Sequence, residues 1–473
     1  ARVLAPDLLR GLLMMLMAMD HQALMLHTWE HGTGRVMEGD GVVVRRWNFT
    51  VAYIVRTLTH LCAPGFTFLL GMGVVYLGRS RTRLGWSAGR LARYFFLRCL
   101  VLTLVSWLFG LVGTGGQLWF MNMVLFALAV DYLIAGLLWL AIRRTEALLV
   151  GFLEGKMRAK HIYNDDDSTA ELPLLRVRST RDDITIRAEA LAWHAHNAAL
   201  FLLSIVTIAW NIWLSETGAH CASVSGHEVL PLGTEEQEDL TFWQIIGRIW
   251  FWTVTTTHVM SGFPPLAWVS FAILGVLYGR IMIARPWSPR TIALGHSLVG
   301  LALSIVFILT RVLRFGNLSE DCLHTPEQEA HPDANPYILS VRSFFYVVKY
   351  PPDVAFWAFT LAANFFLLAV LGAIPPHTAK RLTVLLDFGT SALFFYIVHL
   401  LVAVALSVLF IALFGTDAEA RDPLDPDTPV KGILNLWGYF GIWALNMVIM
   451  WPLCRAYSRF KATKPADSLW RFF

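Results

Sequence analysis

Ten runs of roughly 20 mostly apolar residues recur along this chain, each the length a helix needs to cross a bilayer. They fall at residues 8–28, 52–77, 94–113, 118–141, 194–214, 262–284, 291–311, 353–374, 385–413 and 434–453. Inside hydrocarbon every backbone N–H and C=O must be paired within the protein, and a helix pairs them without outside help. The expected fold is therefore all-α: a polytopic transmembrane helix bundle of about ten spans over residues 1–460, with a tail at 461–473. Of the 473 residues, 15% are charged, against about 25% in soluble domains. The net charge of +4 is too small to suggest a nucleic-acid partner. The first apolar run begins after Arg2 with no small-residue cleavage site behind it, so it reads as a retained span.

Lysine and arginine are spread unevenly over the connections. Arg79, Arg81, Arg83, Arg90, Arg93 and Arg98 crowd residues 78–98, and Arg143 and Arg144 follow the fourth run. Arg280, Arg285 and Arg290, then Lys380 and Arg381, then Arg455, Arg459, Lys461 and Lys464 continue the pattern at alternate connections. The stretch 215–240 on the other side is acidic, with Glu216, Glu228, Glu235, Glu236, Glu238 and Asp239. The positive-inside rule then puts the basic connections and both termini in the cytosol. Arg35, Arg45 and Arg46 run against this trend.

Two segments need separate readings. Residues 241–260 are apolar and Trp-rich but hold Arg248 and His258, so they read as an interfacial or re-entrant helix, with a true span as the alternative. Residues 142–193 form the longest basic-side connection and have a polar centre, so they read as a partly disordered cytosolic linker. Pro264-Pro265 and Pro351-Pro352 each precede an apolar run, where proline suits a helix start.

The lumenal side carries two glycosylation acceptor patterns, Asn48-Phe49-Thr50 and Asn317-Leu318-Ser319. Cys221 and Cys322 are the two of five cysteines outside the apolar runs. In an oxidising compartment they are expected to pair, the alternative being two free thiols. Cys62, Cys99 and Cys454 read as packing residues. These features point to a eukaryotic secretory, endomembrane or plasma membrane.

The first run carries Arg10 and, eleven positions on, His21. Eleven steps make about three helical turns, which sets the two on one face about 16 Å apart along the axis. Arg10 falls at the cytosolic boundary and His21 in the lumenal third, where an ionisable group is costly and usually kept for a function. Arg10 also suits plain topological anchoring, and His21 also suits a buried histidine paired with Asp20 or another helix. His60 and His399 fall at a similar depth, and His258 near the lumenal surface, which raises the expectation of a shared polar cavity. Asp20, Asn122 and Asp131 are further candidates for its lining. The spans show no spacing suited to a metal site, and none is expected.

Arg10, ten residues, then His21 resembles the opening span of the type-3 sugar acyltransferases. Further blocks resemble the heparan-α-glucosaminide N-acetyltransferase catalytic-domain family. They are Thr59-His60 with Pro64-Gly65-Phe66, Pro264-Pro265 with Gly279-Arg280, Lys349-Tyr350-Pro351-Pro352, Phe394-Phe395-Tyr396 with His399, and Pro452-Leu453-Cys454-Arg455. The resemblance implies transfer of an acetyl or other acyl group from cytosolic acetyl-CoA or a similar donor to a lumenal, saccharide-like acceptor. It implies His21 as base or acyl carrier, with His60 and Asp20 as catalytic partners. Arg10, Arg280 and Arg98 are then candidates for the phosphates of the donor, and His258, His399 and Lys349 for the acceptor side. Arginine suits the phosphates because its fork of donors stays charged. Expected partners are membrane lipid, acyl-CoA and the acceptor, and the reading allows a homodimer. Gly11, Gly65, Gly71 and Gly73 fit either close helix approach or a passage for the pantetheine arm. The competing reading is a multi-pass transporter or channel in which the histidines relay protons.

Overall fold

The computed structural model describes residues 4–29, 49–122, 124–165, 174–213, 241–256, 258–318, 330–421, 429–465, 468 and 470. Asn48, Cys221 and Cys322, and with them one expected glycan site and the expected disulfide, lie outside these residues.

The helices are α1 (Ala5–Met25), α2 (Phe49–Thr59), α3 (Cys62–Arg83), α4 (Ala88–Gly113), α5 (Leu125–Asp165), α6 (Leu174–Trp213), α7 (Phe242–Phe251) and α8 (Pro265–Ala284). They continue as α9 (Pro289–Val312), α10 (Val354–Ala373), α11 (Thr383–Thr390), α12 (Ala392–Phe414) and α13 (Leu436–Ala462). Among the described residues nine helical segments are long and apolar enough to cross a membrane. The tenth expected span, α1, is not among them, because Arg10, Asp20, His21 and Gln22 interrupt its apolar run. The result is an all-α polytopic bundle.

Burial separates the inner helices from the outer ones. The segment Thr50–Arg83 is 72% buried over its apolar window, Pro265–Ala284 67% and Val354–Ala373 61%, whereas Ala88–Gly113, Pro289–Val312 and Ala392–Phe414 are each 22% buried. So α3, α8 and α10 form the centre, and α4, α9 and α12 turn most of their surface outward. Gly71 and Gly275 set the central crossing. A Cβ on Gly71 would strike the carbonyl of Ala272, and one on Gly275 the carbonyl of Phe68. The two backbones touch, as small residues permit in membrane helices. Gly11 and Gly65 also sit at close approaches, while nothing lies near a Cβ on Gly73.

Local chemistry explains the breaks. Proline lacks an N–H and its ring clashes with the carbonyl four residues back, here that of His60. Pro64 therefore prevents one continuous helix over 50–83, and the chain turns at His60 and Leu61 between α2 and α3. Pro265 opens α8 at its first turn. Asp353 caps α10, accepting from the Phe356 N–H at 2.6 Å and from the Leu318 N–H at 2.9 Å. Burial raises the Asp353 carboxyl above the usual carboxylate range, and the charge of Arg311 opposes that shift.

Three expectations meet the structure differently. In the 142–193 connection the described residues are helical, with α5 running to Asp165 and α6 beginning at Leu174, and the polar centre at 166–173 lies outside the described residues. Ion pairs at i, i+4 spacing, Arg158 with Glu154 and Arg187 with Asp183, support those extensions. Residues 241–260 hold a short helix, as first expected, and not the alternative of a true span. They fold as the ten-residue α7 followed by β2 (Val254–Thr255) and β3 (Val259–Ser261), and β3 pairs in parallel with β1 (Phe120–Asn122) and antiparallel with β2. Asn317, expected as a glycan acceptor, is buried. Its Nδ2 donates to the carbonyls of Thr310 and Phe315, and its Oδ1 accepts from Arg311. The amide that a glycan would occupy is already engaged in the fold.

α1 is held at both ends. Near its start, Gly11 and Asp7 lie backbone to backbone against Leu385 and Gly389 of α11. Further along, Trp443 Nε1 donates to the carbonyl of Met15 and Tyr439 Oη to that of Met19, joining α1 to α13. The end of the bundle where α1, α9 and α12 begin and α3, α8 and α13 finish carries the arginine-rich connections, and is called the basic end below.

Candidate active site

His21 meets His399. His21 Nδ1 lies 2.9 Å from His399 Nε2, and the rings stack with centroids 5.1 Å apart, 18° from parallel. His399 is fully buried although α12 is an outer helix, because it points inward from that helix. Phe395, one turn earlier, stacks on His399 with centroids 5.0 Å apart.

The hydrogen bonds assign the protons. His399 Nδ1 lies 2.8 Å from the Phe395 carbonyl, which only accepts. Nδ1 of neutral His399 therefore carries the hydrogen and its Nε2 the lone pair. His21 Nδ1 must then donate to that lone pair, which makes Nε2 the basic nitrogen of neutral His21. The arrangement is that of a general base held by an acceptor behind it.

A second polar layer lies beside the pair. Gln22 Nε2 donates to Ser407 Oγ at 3.1 Å, and Asn446 Nδ2 donates to Gln22 Oε1 at 3.1 Å and to the His399 carbonyl at 3.4 Å. Gln22, Ser407 and Asn446 are buried and tie α1, α12 and α13 together around the histidines. These three residues were absent from the expected site. Their signal was simply polarity inside apolar runs, which is costly in a membrane unless partners exist.

The remaining candidates disperse. His60 is buried at the α2–α3 break, edge-on to Phe356 with centroids 5.5 Å apart. Asp20 is near enough to Cys62 and Tyr439 to act on them electrostatically, so it faces the α3 and α13 side of α1. Lys349 also reaches Cys62 electrostatically, and its ammonium lies 4.9 Å from the Tyr350 ring and 5.5 Å from that of Phe263. His258 is exposed on the small sheet, stacked on Trp119 at 4.5 Å, and does not join the histidine pair. The expected layer of four histidines thus reduces to one contacting pair, His21 and His399, with His258 outside it. Asn122 is buried in the same sheet, where its Nδ2 donates to Ser261 Oγ and the Phe263 carbonyl.

The cationic candidates are engaged elsewhere. Arg10 donates to Asp7 Oδ1 at 3.1 Å and to the Gly389 carbonyl at 3.3 Å. Arg98 lies over the Tyr132 ring at 4.5 Å. Arg280 forms a bidentate pair with Glu146 at 3.0 and 3.2 Å, and its Nε donates to Asn197 Oδ1. Arg10 and His21 do face one segment, touching Gly389 and His399 on α11 and α12. The helix face between them is Met14 and Met17, both buried in the main apolar core. Buried methionine, and not a passage for the pantetheine arm, occupies this face.

The chain matches no family model and no curated protein.

Proposed function

We propose that this chain is an integral-membrane acyltransferase. It would move an acetyl or other acyl group from acyl-CoA at the basic, cytosolic end to a saccharide-like hydroxyl or amine on the lumenal or extracellular side. The membrane is then a eukaryotic secretory, endomembrane or plasma membrane. The observation that carries the reading is the His21–His399 pair, in which the hydrogen-bond chain leaves Nε2 of the partly buried His21 as the basic nitrogen.

The chemistry follows from that nitrogen. The acceptor gives its proton to His21 Nε2 while its oxygen or nitrogen attacks the thioester carbonyl carbon. The charge gained by His21 is stabilised by its Nδ1–H donating to His399 Nε2. The tetrahedral adduct collapses, the C–S bond breaks, and the departing thiolate takes the proton from His21. The products are free coenzyme A and the acylated acceptor. A covalent acyl-histidine on His21 is the alternative route. The pantetheine arm would have to displace Met14 and Met17, whose unbranched side chains adapt readily.

The proton-relay reading of a transporter is less well supported. A relay needs a group beyond His399 that takes up the proton. His399 Nδ1–H instead ends on the carbonyl of Phe395, which does not.

The test uses proteoliposomes with labelled acetyl-CoA outside and glucosamine trapped inside. His21→Ala is expected to lower acetyl transfer by about 10²–10⁴-fold with acetyl-CoA binding nearly unchanged. Undiminished turnover in the variant, or no saturable acetyl-CoA binding by the native protein, rejects the reading.

A further inference from the structure

At the basic end, away from α1, a cleft of about 470 Å³ opens between α3, α5, α6 and α8. Arg79, Arg83, Arg143 and Arg280 line it, with the indoles of Trp139 and Trp193 as walls. Arg280 is neutralised by Glu146 and forms part of the cleft's framework. The other three differ. Arg79 donates to the Ile283 carbonyl, and Arg143 donates to Thr82 Oγ1 at 2.8 Å while lying over Trp139 at 5.0 Å. These partners are neutral, so they fix the guanidiniums in place without cancelling their charge. Among the described residues no carboxylate forms an ion pair with Arg79, Arg83 or Arg143.

Topological anchoring requires only that arginines sit near the headgroups. It does not require three uncancelled guanidiniums to converge on one walled cleft with two of them braced. On the far side of the same connection, Arg81 and Arg90 lie instead over Trp86, outside the cleft. Guanidinium forks match phosphate oxygens, and indole faces accept flat or apolar groups beside them.

We propose that this cleft binds a phosphate-bearing ligand carrying two or more negative charges, at a site separate from the histidine pair. Two sources share that chemistry: the headgroup of an acidic phospholipid in the adjoining leaflet, and a soluble nucleotide.

The experiment uses the full chain in nanodiscs. One arm titrates labelled ADP onto protein in neutral phosphatidylcholine. The other measures retention of a phosphatidylinositol bisphosphate by native mass spectrometry, with inorganic pyrophosphate as competitor in both arms. Arg83→Gln/Arg143→Gln is expected to weaken the bound probe about tenfold or more. Arg90→Gln/Arg93→Gln, outside the cleft, keeps native affinity. Arg83→Lys/Arg143→Lys, which keeps the charge, retains most of the binding and shows that the loss is not misfolding. ADP binding that follows this pattern assigns a soluble ligand, and lipid retention that follows it assigns a headgroup. If the native protein holds neither probe, or both double glutamine variants weaken it equally, the proposal is wrong. Acyl transfer is not a readout here, so the cleft stands or falls independently of the acyltransferase reading.

Discussion

The ring of His399 sits behind the ring of His21, with His399 Nε2 2.9 Å from His21 Nδ1 and His399 Nδ1 committed to the Phe395 carbonyl. Two helices that are far apart in sequence, α1 and α12, together set the protonation pattern of one imidazole.

That dependence separates a positioning role from a packing role. In His399→Gln the side-chain amide reaches about as far as the Nε2 of histidine and keeps an acceptor there. His399→Leu keeps bulk and removes the acceptor. Acetyl transfer is expected to fall further in the leucine variant, by about tenfold relative to glutamine, the value of one hydrogen bond to a charged group. The loss should appear in kcat rather than KM. Equal activity in the two variants would mean that His399 only fills space.

The α3–α8 crossing gives a stability prediction. A side chain at Gly71 must push against the backbone of Ala272, which has no rotamer to yield. Gly71→Val is expected to cost about 1–3 kcal/mol, as overpacking does, read as a lower thermal midpoint in detergent. Gly73→Val, where nothing lies close to the added Cβ, serves as the control and should shift it far less.

The Arg280–Glu146 pair gives another. Arg280 is 7% exposed and Glu146 22%, so removing one partner strands a largely buried charge. Arg280→Met is expected to cost about 2–3 kcal/mol, below the full range for buried pairs because Glu146 keeps some water. Arg280→Met/Glu146→Leu should recover most of that loss. A double variant no more stable than the single one would contradict the ion-pair account.

The spans were legible because a bilayer imposes one length on every crossing: α1, α8, α9 and α10 start and stop within three residues of the expected runs, whereas the end of α3, the starts of α4, α5 and α12 and the end of α13 miss by six to nine residues, and the 142–193 connection departs further. His21 was legible because charge at depth is costly. What pairs with it was less so. Depth placed His399 at the right level, but also His60, which packs edge-on to Phe356 at the α2–α3 break. Depth alone says nothing about facing. Gln22, Ser407 and Asn446 went unread for the same reason: each is an ordinary polar residue until the opposing helix is known. Arg280 looked available for phosphate because its partner, Glu146, lies 134 positions away. The vertical register of Arg10 and His21 was readable from helix geometry, but the filling of the face between them by Met14 and Met17 depends on packing across several helices.

The tautomer of His21 is the quantity on which the base role rests. Selective ¹⁵N labelling of histidine, with assignment by His21→Gln, reads it directly by nitrogen chemical shift in the purified protein at neutral pH. The expected spectrum has His21 protonated at Nδ1, with Nε2 in the range of a bare imine nitrogen. A hydrogen on Nε2 with Nδ1 bare would contradict the assignment and, with it, the role of His21 as the base for acyl transfer.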